Sequence, residues 1–73
     1  MSKETLAHAQ RLCAQNIEFE LKVAISKIKN ASTIDGTNDE GREILADELI
    51  AIQELLWTAE RNIDKIRNLY RNR

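Results

Sequence analysis

The chain has 73 residues, 42% of them hydrophobic and 32% charged, with 11 basic against 12 acidic side chains and a net charge of −1. That composition excludes a disordered tail, and the balanced charge makes the chain as a whole a poor electrostatic match for nucleic acid. There is room for one small domain, near the size at which a single core barely suffices. No apolar run approaches the roughly 20 residues of a membrane-spanning helix. Met1-Ser2-Lys3-Glu4 leads directly into a polar amphipathic segment, without a signal-peptide apolar stretch. Cys13 is the only cysteine, so no disulfide within the chain can staple so small a core. A reducing cytoplasm fits, and the missing stability is expected from self-association.

Ser2 is placed to cap a first helix over about residues 3–30. Its main stripe is Leu6, Ala9, Cys13, Ile17, Leu21, Ala24 and Ile28, extending to Ala31. Leu12, Phe19 and Val23 fall outside that stripe and gather roughly 140° around the helix, so this helix has two apolar faces. A loop over about 31–37 follows, rich in turn-forming residues and holding the first glycine, Gly36. Thr37-x-x-Glu40 then reads as a capping box opening a second helix over about residues 38–71. Gly41 lies in its first turn, where flexibility costs least.

The second helix carries an unbroken heptad seam: Leu45, Leu49, Ile52, Leu56, Ala59, Ile63, Ile66 and Tyr70. With Leu49, Leu56, Ile63 and Tyr70 at a, the d positions are Leu45, Ile52, Ala59 and Ile66. Leucine-rich a with isoleucine-rich d favours a bundle thicker than two strands. Two long helices with a short connection double back into an antiparallel hairpin. Charge supports this, because the acidic start of helix two (Asp39, Glu40, Glu43, Asp47, Glu48) folds beside Lys22, Lys27 and Lys29. The expected fold is all-α, a helical hairpin pairing as a homodimer into a four-helix bundle, with Leu12, Phe19 and Val23 helping to bury the seam.

Catalytic and metal-binding patterns are missing from the sequence. His8 has neither a second histidine nor a cysteine at ligand spacing, and no triad partner. Cys13 on the apolar stripe reads as a small hydrophobe. A calcium loop starting at Asp35 would need glycine where Glu40 stands and a bidentate glutamate where Ala46 stands. Di-metal bundles need Glu-x-x-His pairs, which do not occur here, and no glycine-rich phosphate loop is present. Arg11 and Arg42 are the side chains a helical chorismate-mutase type of pocket would have to use, but nothing holds them inward. No enzyme activity, cofactor or metal is expected.

Two surface features remain. Residues 37–60 carry one basic and seven acidic side chains, whereas 61–73 carry five basic and one acidic. The basic end, Arg61, Lys65, Arg67, Arg71 and Arg73, is the candidate nucleic-acid contact, although its members scatter around the helix. In size and expected layout the chain resembles the Rop family of plasmid RNA-binding proteins, which are dimers of helical hairpins. That resemblance implies an RNA- or DNA-binding dimer using the basic end, and it carries over no contact residue. The second feature is Ile50 and Trp57, seven apart at b positions on an outer face with Ala46 beside them. Outward aromatic and β-branched residues at that spacing mark a contact surface. The expected function is a non-enzymatic, protein-binding regulator of the inhibitor, adaptor or anti-activator type, of a size common on phages and mobile elements. Its protein-binding residues are Ile50, Trp57, Leu12, Phe19 and Val23. A structural subunit of a larger helical assembly is the third reading.

Overall fold

A computed structural model describes residues 2–71. Helix α1 spans Lys3–Ala31 and helix α2 spans Asp39–Leu69, with the loop 32–38 between them. Contacts across the pair join Gln10 to Tyr70, Glu20 to Asn62 and Lys27 to Glu48, one number falling as the other rises. The chain is therefore an antiparallel hairpin, 56 × 18 × 10 Å. No helix among the described residues is long and apolar enough to cross a membrane.

The helix ends follow from local hydrogen bonding. Ser2 caps α1 as expected, its hydroxyl accepting the Thr5 N–H at 3.1 Å. The cap of α2 differs from the expected Thr37–Glu40 box. Asn38 is the N-cap, its Oδ1 accepting the Gly41 N–H at 2.6 Å. Thr37 turns back instead, donating its N–H and its hydroxyl to Asp35 Oδ1 at 2.9 and 2.6 Å. A carboxylate two residues upstream is a strong local acceptor, and Asn is at least as good a cap as Thr, so the start shifts by one residue. Gly41 has a firmer reason than low cost. A Cβ there would collide with the Asp35 carbonyl, which folds over the first turn of α2.

The hairpin closes along a different column from the one the heptad suggested. The d residues Leu45, Ile52, Ala59 and Ile66 do face α1. Their inward neighbours are Glu48, Leu55, Asn62 and Leu69. The expected a residues are left outside: Leu49, Leu56, Ile63 and Tyr70 are 49, 45, 46 and 40% exposed. On α1, Glu20 and Lys27 point inward in place of Leu21 and Ile28, which are exposed. Each helix is thus turned by about 50°, half the angle between successive residues. Ala24, Ala31 and Ala59 are buried on the facing sides, where small side chains permit close backbone approach. Gly41 is buried under the Asp35 carbonyl of the loop.

The resulting core is thin. Its buried apolar side chains are Leu6, Ala24, Ala31, Ile52 and Ala59. Burying Leu6 and Ile52 contributes about 1.5–3 kcal/mol each, and the alanines contribute less. Polar groups complete the seam. Asn62, itself buried, donates from Nδ2 to Glu20 Oε1 at 3.0 Å, and Lys27 Nζ lies 3.8 Å from Glu48. Of the basic and acidic clusters expected to meet, Lys27 and Glu48 are the pair that crosses between helices, while Lys22 pairs with Glu18 of its own helix at 2.8 Å.

Candidate functional site

With Ile52 and Ala59 facing α1, a rotation of 100° per residue carries Ile50 and Trp57 to the far side of α2. Both are open to solvent, at 53 and 64% exposure. They border a shallow recess with Gln53, Glu54, Leu56 and Glu60. The Arg61 guanidinium lies over the indole, 5.6 Å from the ring centroid, in a cation–π contact worth about 0.5–1 kcal/mol at an exposed site. The patch is therefore an apolar pair with Glu54 and Glu60 on its margin and its tryptophan partly held in place.

The other apolar residues noted in the sequence sit elsewhere. Leu12 and Phe19 are exposed on the outer side of α1, with Val23 half-buried beside them. Phe19 and Val23 border a separate recess with Lys22, Ser26, Lys27 and Asn30. The structure does not bring this group together with Ile50 and Trp57, because the two lie on the outer sides of different helices.

At the basic end, Arg61, Lys65, Arg67 and Arg71 are all exposed, and Arg73 lies outside the described residues. Arg61 is engaged by Trp57, and Arg67 Nη1 lies 3.8 Å from Asp64 Oδ1. His8, Arg11 and Arg42 are exposed, and Arg42 pairs with Asp39 in the first turn of α2. Cys13 is half-buried on the inward side of α1. Among the described residues, no three His, Cys, Asp or Glu side chains converge as a metal would require. The shifted titrations have local causes. The Thr37 hydroxyl and N–H hold the Asp35 carboxyl below its ordinary range. Lys22 lowers Glu18, and Glu18 raises Lys22.

A further surface feature lies in the expected seam. Leu49, Leu56, Ile63 and Tyr70 form one row on α2, and Ala7, Ala14, Leu21 and Ile28 form a matching seven-residue row on α1. In an antiparallel pair both rows, turned the same way from the inward direction, fall on the same broad face of the hairpin. The Tyr70 hydroxyl reaches across that face to Gln10 Oε1. Two parallel heptad rows are legible in the sequence; which of them closes the hairpin is not.

No protein-family model matches this chain, and no curated protein or solved structure matches it either.

Proposed function

We propose that this chain is a small cytoplasmic, non-enzymatic regulator that works as a homodimer of hairpins and binds another protein. It acts as an inhibitor, adaptor or anti-activator would, through the outer face of α2. The observation that carries this reading is the exposed pair Ile50 and Trp57 at a two-turn spacing, opposite the side that packs on α1. An exposed tryptophan costs the free protein solubility and gives a partner a large, rigid apolar surface, which is why tryptophan dominates binding hot spots. The test is a paired capture from native lysate using wild-type chain and Trp57→Ala as baits. The reading expects a stoichiometric partner on the wild type that is lost from a variant of unchanged helicity and mass. Equal capture by both baits, or by neither, contradicts it.

The second reading is a Rop-like nucleic-acid-binding dimer, favoured by the exposure of Arg61, Lys65, Arg67 and Arg71 at one end. It predicts heparin retention that falls steeply with salt.

A further inference from the structure

We infer that a second copy of this chain lies end over end on the face formed by Leu21 and Ile28 of α1 and Leu49, Leu56 and Ile63 of α2. This rests on the homodimer proposed above and names its surface and orientation, which differ from the Leu12, Phe19 and Val23 face the sequence suggested. Each of those five side chains is at least 40% exposed in the single hairpin. The hairpin meanwhile closes on a core made largely of alanines. So thin a core leaves a chain of this size only marginally stable as a single hairpin, so the cover that adds most is one available to every folded chain. A second copy meets that condition at fixed stoichiometry. The spacing is also that of a helical partner, because rows repeating every seven residues on two adjacent helices fit the rows of two more.

The orientation rests on the charge pattern of α2. Two hairpins can stack face to face with their loops at the same end or at opposite ends. Loops at the same end would lay α2 of one copy on α1 of the other. Loops at opposite ends lay α2 antiparallel on α2 of the second copy. Residues 39–48, with five acidic and one basic side chain, then approach residues 61–71, with four basic and one acidic. The acidic start and basic end of α2, which suit its own helix dipole, also complement each other between copies. This arrangement leaves Ile50 and Trp57 on the outside, free for a different protein.

The test places one spin label per chain in the loop, at Thr33→Cys in a Cys13→Ala background, with mass measured on the same sample. The expected result is a two-chain particle with labels more than about 40 Å apart, since each hairpin is 56 Å long. A two-chain particle with labels within about 25 Å would mean loops at the same end, which overturns this inference and leaves the homodimer standing. A one-chain mass at 100 micromolar overturns both. Substitution separates the faces: Leu56→Gln should abolish the two-chain particle, and Phe19→Gln should leave it. The reverse pattern would move the interface to the outer side of α1 and overturn the inference.

Discussion

Two neighbouring columns of α2 make opposite choices. The inner one, facing α1, contains Glu48, Ala59 and Asn62 among its members, with Gly41 at its start. The next column round, Leu49, Leu56, Ile63 and Tyr70, is made of large apolar side chains, yet each is 40–49% exposed. If burial within one chain were the whole design, the columns would be exchanged. The difference teaches that the hairpin closes on a few buried apolar side chains, small residues and paired polar groups, and leaves an aliphatic row exposed beside them.

The largest expected effect breaks the inner column. Ile52→Ala removes a buried side chain from a thin core and should cost about 2–4 kcal/mol in chemical denaturation. Its loss should be similar at low and high protein concentration. Leu56→Ala provides the contrast. Its effect should be comparable at high concentration and should shrink on dilution, as the covering copy dissociates. Equal, concentration-independent losses from both would mean that the two columns are not distinct.

Gly41→Ala comes next. The added methyl meets the Asp35 carbonyl and the Asn38 cap together, so the loop must shift, at about 1–3 kcal/mol. Asn62→Ala should cost roughly 1 kcal/mol by leaving the Glu20 carboxylate without its donor. An unchanged melting curve for Asn62→Ala would show that the polar pair contributes nothing to closing the inner column.

The smallest effect is a titration. Asp35 accepts from Thr37 and Asn38, and these bonds hold its pKa below the ordinary 3.8. A carboxyl lowered in the folded state stabilises the loop above its ordinary pKa, and that contribution disappears as pH falls through the lower, folded value. An NMR titration should place the Asp35 midpoint below 3.8, and Thr37→Ala should move it upward. A wild-type midpoint at or above 3.8 would contradict the hydrogen-bonded loop.

Much of this was legible in the sequence. The two helices, the antiparallel turn and the Ser2 cap follow from periodicity and capping chemistry, which are local. The outward placement of Ile50 and Trp57 also follows, since both are far round the helix from any inward column. What the sequence did not disclose was which adjacent column closes the hairpin. Leu49 and Leu56 are better core residues by hydrophobicity than Glu48 or Asn62. The inward column carries the buried Ala59 opposite the buried Ala24 of α1, a pairing that depends on both helices at once. The cap shift from Thr37 to Asn38 was hidden for a similar reason, because Asp35 competes for the threonine.

The most direct measurement of the central claim compares three neighbours on α2 in one experiment. Methyl NMR with a soluble paramagnetic probe reads the solvent access of Ile52, Leu56 and Ile50 in the unmodified chain at 100 micromolar. Ile52 should be protected and Ile50 strongly relaxed, as their positions in the hairpin require. With a second copy on this face, Leu56, 45% exposed in the single hairpin, should be protected to the same degree as Ile52. Leu56 methyls relaxed as strongly as those of Ile50 would contradict it, because the aliphatic row would then face water.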